Sequence, residues 1–126
     1  MFLGLRTVIY PAPDLRASRD WYAALLGVEP YFDEPFYVGF AVGGYELALD
    51  PQGDAAAGPV TCWGVPDVEP ALAALLDAGA RPHADVQEVG GGIRVATVLE
   101  PGGAVLGIIE NPHFALVGVP SPGPGR

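Results

Sequence analysis

Few residues in this chain have types that can do acid–base, nucleophilic or metal chemistry. There are two histidines, His83 and His113, and one cysteine, Cys62. Cys62 lies in Thr61-Cys62-Trp63, a β-type run in which a small thiol usually serves as an apolar filler. His83 follows Arg81-Pro82 in a loop after a helical stretch, and His113 falls close to the end of the chain. Neither is placed to pair with Cys62 or with a serine and an aspartate, so no nucleophile–base constellation is legible. One cysteine excludes an internal disulfide and any multi-cysteine zinc site. Gly90-Gly91-Gly92 is too short, and lacks the following helix, to cradle a phosphate.

Composition narrows the class further. The chain has 126 residues, half of them hydrophobic, and a formal net charge of −9. That is one globular domain with one core. All six basic residues are arginines. The acidic balance argues against nucleic acid, which needs a basic face, and favours cationic ligands through long-range steering. No apolar run approaches the roughly 18 residues of a membrane helix. The start, Met1-Phe2-Leu3-Gly4-Leu5-Arg6, lacks the pattern of a secretory signal. The expected setting is cytoplasmic, with no nucleic-acid or membrane partner.

The elements that must position any site are written twice. Pro13-Asp14-Leu15 opens a stretch running through Ala23-Ala24-Leu25-Leu26 to Gly27. Pro66-Asp67-Val68 opens a second, running through Ala73-Ala74-Leu75-Leu76 to Gly79. Asp14 and Asp67 are N-cap residues, and Gly27 and Gly79 are stop signals. Leu5–Tyr10 and Val60–Val65 are the preceding strands. Phe36–Val42 and Tyr45–Leu49 form a hairpin about Gly43-Gly44. Ile93–Leu99 and Ala104–Ile109 flank Pro101-Gly102-Gly103. Short strands near Pro30–Asp33 and Arg81–Val89 complete two βαβββ units, about residues 3–50 and 59–112, with Asp50–Gly58 as linker. Such repetition implies a pseudo-symmetric fold with a site between the halves. Residues 113–126 read as a flexible Pro/Gly tail.

This plan resembles the vicinal oxygen chelate superfamily, which includes glyoxalase I, extradiol dioxygenases and bleomycin-resistance proteins. The resemblance covers residues 3–112. It rests on Thr7-Val8-Ile9-Tyr10 before Pro13-Asp14-Leu15, on Trp21-Tyr22, Leu26-Gly27 and Glu46-Leu47-Ala48-Leu49. In the second half it rests on Trp63-Gly64-Val65-Pro66-Asp67-Val68, on Ala78-Gly79-Ala80, and on Glu100-Pro101-Gly102-Gly103 before Ile108-Ile109-Glu110-Asn111-Pro112. It implies an α+β fold in which tandem βαβββ modules, spanning residues 1–112 as one domain, curl a mixed sheet around a cavity. It also implies a homodimer.

Enzymes of that family hold a divalent metal through four side chains on the first and last strands of each half. Carried onto this chain, the four positions fall at Thr7, Glu46, Val60 and Gly107. Three of these cannot serve: threonine is a weak neutral donor, and valine and glycine offer none. The expectation is therefore no metal and no cofactor. The expected pocket is apolar, with Glu46 as its polar anchor. By strand alternation Ile9 shares the face of Thr7, and Cys62 that of Val60. Tyr37 is assigned to the cavity from the aromatic strand Phe36-Tyr37-Val38-Gly39-Phe40. Arg94, a basic residue on a core strand, is the expected partner of Glu46. The resulting reading is a metal-independent small-molecule-binding protein that sequesters a ligand or drug, with a cationic planar ligand as the best match. The alternative is an enzyme of the family (a lyase, isomerase or dioxygenase) with a non-standard or absent metal site, in which Glu46 would be the general base.

Overall fold

The computed structural model describes residues 2–114; the rest of the expected tail, 115–126, lies outside the described residues. The chain order is β1 (Gly4–Pro11), α1 (Leu15–Leu26), β2 (Phe32–Glu34), β3 (Tyr37–Val42), β4 (Tyr45–Asp50), β5 (Val60–Gly64), α2 (Val68–Asp77), β6 (Arg81–Gly90), β7 (Ile93–Leu99) and β8 (Val105–Glu110). This is βαβββ twice, as the repeat predicts. The strands form a single eight-stranded sheet in the order β2-β3-β4-β1-β5-β8-β7-β6. Within each half the first and last strands run parallel, β1 with β4 and β5 with β8. The halves join through the antiparallel β1–β5 pair.

The helices form where the caps predict. The Asp14 carboxylate accepts from the Ala17 amide at 3.1 Å, and Gly27 closes α1 with φ 72°. That left-handed backbone is strained for any residue with a Cβ. Asp67 accepts from the Glu69 amide at 3.3 Å. Glu110, reaching over from β8, accepts from the Val68 amide at 3.0 Å.

Period-two alternation divides the strand residues between two faces. On one face, Val38, Phe40 and Leu49 pack against Leu15, Tyr22 and Leu26 of α1. On that same face Ala96 and Ile108 pack against Val68, Ala71 and Leu72 of α2. The other face is concave and carries Ile9, Tyr37, Ala48, Cys62, Ile93 and Ile109, with Phe32 and Phe36 packed over them. Phe36 lies against Gly90, and Phe32 against Gly91. The turn between β2 and β3 thus meets the turn between β6 and β7 across the concave side, although these strands lie far apart in the sheet order. No helix among the described residues is long and apolar enough to cross a membrane.

Candidate binding site on the concave face

Backbone register builds the site as one row across four adjacent strands. Glu46 on β4 is the register partner of Thr7 on β1. Thr7 is the partner of Cys62 on β5, and Cys62 the partner of Gly107 on β8. The position equivalent to Thr7 in the second half is therefore Cys62, two residues beyond the Val60 expected from the spacing. Val60 pairs with Ile9 one step along the same face.

Glu46 is the centre of this row and is only 2% exposed. The Thr7 hydroxyl donates to its Oε1 at 2.6 Å. The Tyr31 and Tyr37 hydroxyls donate to its Oε2 at 2.6 and 2.9 Å. Asn111 Nδ2 reaches both oxygens, at 3.3 and 3.4 Å, and also the Tyr31 hydroxyl at 3.1 Å. The Asn111 side-chain Oδ1 accepts from the His113 backbone amide at 2.9 Å, which turns Nδ2 toward Glu46. A carboxylate offers about four acceptor positions, and these donors occupy them. Asn111 continues β8, three strands away from β4. A flat sheet would set the two backbones roughly 14 Å apart, so their contact measures the curl.

Three glycines make the space. A Cβ on Gly39 would lie 2.5 Å from Glu46 Oε2 and 2.8 Å from the Tyr31 ring. The Tyr31 amide also bonds the Gly39 carbonyl at 3.0 Å, which holds the ring over the carboxylate. A Cβ on Gly107 would lie 2.7 Å from Cys62 Sγ. A Cβ on Gly64 would lie 2.6 Å from Arg6 Nε.

Arg6 belongs to the site although alternation assigns it to the opposite face. The β1–β5 register shifts between Leu5 and Thr7. Such a bulge breaks strict alternation, and it lays the Arg6 side chain over Gly64, on the face of Cys62. Arg6 is 7% exposed, and among the described residues nothing accepts from its buried Nε. Burial lowers its pKa, while the negative charge of Glu46 opposes that shift.

Burial, and next the charge of Glu46, raise the Tyr31 and Tyr37 phenols above their ordinary range. The same causes push the Cys62 thiol up to about 12. At neutral pH these side chains are uncharged.

The structure brings together Thr7, Ile9, Tyr37, Glu46, Val60, Cys62 and Gly107 on the concave face. It does not bring Arg94 there. Arg94 lies on the helix side, bonded to Glu69 of α2 and 3.6 Å from Glu110. Its register partner is Glu110, which alternates to the face opposite Ile109. Arg6, Tyr31 and Asn111 are site residues that sequence reasoning missed. Asn111 had a signal, since it shares parity with Gly107 and Ile109. Neither histidine bonds Glu46, although the His113 ring packs on Phe32 with centroids 4.7 Å apart. His83 Nδ1 is 2.8 Å from the Thr97 hydroxyl, and His113 Nε2 is 2.6 Å from the Gly91 carbonyl.

These residues do not fit a divalent metal. The row offers Glu46, Thr7, Cys62 and Gly107. Glu46 is the one carboxylate of the row and already accepts from protein donors, Thr7 is a weak neutral donor whose proton goes to Glu46, and Gly107 has no side chain. Among the described residues no group of three or more His, Cys, Asp or Glu converges.

The chain matches the Glyoxalase/Bleomycin resistance protein/Dioxygenase superfamily over residues 4–108 and belongs to that superfamily. No curated protein matches it by sequence. A methylmalonyl-CoA epimerase variant from Streptomyces coelicolor, in complex with 2-nitronate-propionyl-CoA, superposes with a TM-score of 0.67 at 19% identity, covering 89% of this chain and 99% of that one. A structure described as an NAD-dependent benzaldehyde dehydrogenase from Legionella pneumophila gives 0.67 at 17% identity, covering 82% and 96%. A hypothetical protein from Bacillus halodurans C-125 gives 0.64 at 14% identity, covering 85% and 93%. At these identities the likeness is one of fold.

Proposed function

We propose that this chain is a metal-independent small-molecule-binding protein, with its ligand seated on the concave face beside Tyr31, Glu46 and Arg6. The observation that carries this reading is the hydrogen bonding of Glu46. Its oxygens are saturated by Thr7, Tyr31, Tyr37 and Asn111. A carboxylate so engaged is a structural anchor that fixes the surrounding phenols, and a metal or a substrate proton would compete with these donors for it. The same saturation removes the basis for a cationic planar ligand at Glu46. An enzymatic role for Glu46 as base would first require a donor to leave. Tyr31, 37% exposed, is the donor with room to do so.

Metal analysis of the purified protein, followed by ligand-library thermal shifts before and after chelation, tests the reading. The expected result is substoichiometric metal and ligand-induced shifts that survive chelation. A stoichiometric divalent ion whose removal abolishes those shifts would overturn it. We further propose that the protein acts as a homodimer in the cytoplasm.

A further inference from the structure

We infer that Arg6 forms a subsite for the carboxylate of an anionic small molecule. The inference rests on the reading of the concave face as a ligand site and adds the charge of what binds there. The chain is strongly acidic overall, at net charge −9, yet its concave face holds a nearly buried guanidinium. Burying such a charge is costly unless an acceptor receives its N–H groups. Among the described residues, Arg6 makes no ion pair and its buried Nε has no acceptor. Glu46, the nearby carboxylate, is turned to its hydroxyl and amide donors instead.

With Nε buried against Gly64, the two Nη groups form the end of the guanidinium that can pair bidentately with the oxygens of a carboxylate. Gly64 lets the guanidinium lie flat against β5, because any side chain there would strike Nε and Cζ. The β1 bulge holds Arg6 on the concave face at a fixed place in the sheet. A single negative charge suits the site better than a phosphate, which carries about −1.5 to −2 and would face the charge of Glu46. Tyr31, hydrogen-bonded to Glu46 and half-exposed, offers a ring beside the subsite for the body of the ligand.

The test follows the Arg6 Nε–Hε resonance of the full chain by NMR during titration with acetate, its neutral counterpart acetamide, and inorganic phosphate. Acetate should shift the resonance saturably. Acetamide should bind more weakly by about tenfold or more, the loss expected for one charge-assisted pair, and phosphate should also fall behind acetate. Arg6→Met should lose acetate binding while its melting temperature stays equal or rises, since an unpaired buried charge is gone. Arg6→Lys should retain weaker binding. Equal binding of acetate and acetamide, or acetate binding by Arg6→Met, overturns the subsite. If neutral molecules shift Tyr31 and Asn111 while acetate leaves Arg6 unmoved, this inference falls and the binding-protein reading stands. Chelator-sensitive ligand binding fells that reading without touching Arg6.

Discussion

Glu46 is a buried carboxyl group, and its hydrogen-bond partners Thr7, Tyr31, Tyr37 and Asn111 all donate to it. Glu46→Gln replaces one acceptor with a donor, so at least one of Tyr31, Tyr37, Thr7 or Asn111 is left unpaired. Leaving a buried polar group unsatisfied costs about 1–3 kcal/mol, and urea denaturation should read a loss of that size. A variant as stable as the parent would contradict the network. The phenols and the thiol give a second expectation. Tyr31, Tyr37 and Cys62 have folded pKa values raised, chiefly by burial, above ordinary values of 10.0, 10.0 and 9.0. Each stays protonated in the fold while its unfolded counterpart ionises. The unfolded chain then binds fewer protons, so stability falls with rising pH. The contribution of these three groups should be constant below about pH 8 and decline steadily above about pH 9. Tyr37→Phe should flatten that decline. Native Cys62 should resist thiol reagents throughout this range and label only on unfolding; fast native labelling would refute its burial.

Among the elements, the β5–β8 pair leaves no room for a side chain at Gly107. The absence of a side chain at Gly107 is what lets Cys62 point inward. Gly107→Ala would bring its methyl against Cys62 Sγ at 2.7 Å and the Thr61 carbonyl at 2.9 Å. Overpacking of this kind costs roughly 1–3 kcal/mol. Cys62→Ala in the same chain should recover part of that, through the coupling expected of residues in contact. Strict additivity of the two changes would show that the contact is not there. The strands and helices here were legible because their signals are local: alternation placed Thr7, Ile9, Glu46, Ala48 and Cys62 on one face, and Asp14 and Asp67 marked the helix starts. What escaped is non-local. The bulge before Thr7 reverses the side of Arg6, and only pairing with β5 reveals it. The match of Cys62, rather than Val60, to Thr7 depends on the register of β5 against β8. Tyr31 reaches Glu46 from a loop, and Asn111 reaches it through a curl that no single strand encodes. Arg94 was misassigned because its parity within β7 faces α2.

At the scale of the whole molecule, the helix side of the sheet leaves one feature without a partner in a single chain. Helix α1 buries Leu15, Tyr22 and Leu26 only in part, and none of its residues is fully buried. It also carries a second apolar stripe. Trp21 and Leu25, one turn apart on the helix, are 60% and 63% exposed, and Val28, just past the Gly27 cap, is 45% exposed. Residues four apart on a helix share one surface. Large apolar side chains grouped in this way mark contact surfaces more often than single exposed ones do. A two-fold partner presenting the same stripe would cover it, because closed two-fold association is the commonest way for one patch to meet itself. The short outer strand β2 follows Val28 closely, so such a contact would also shield that edge of the sheet. Light scattering should therefore give twice the 13.0 kDa chain mass. Trp21→Glu or Leu25→Glu should shift the protein toward the monomer without unfolding it, since neither side chain contributes to a buried cluster. A single-chain mass at every concentration, or a dimer indifferent to both substitutions, would rule this surface out.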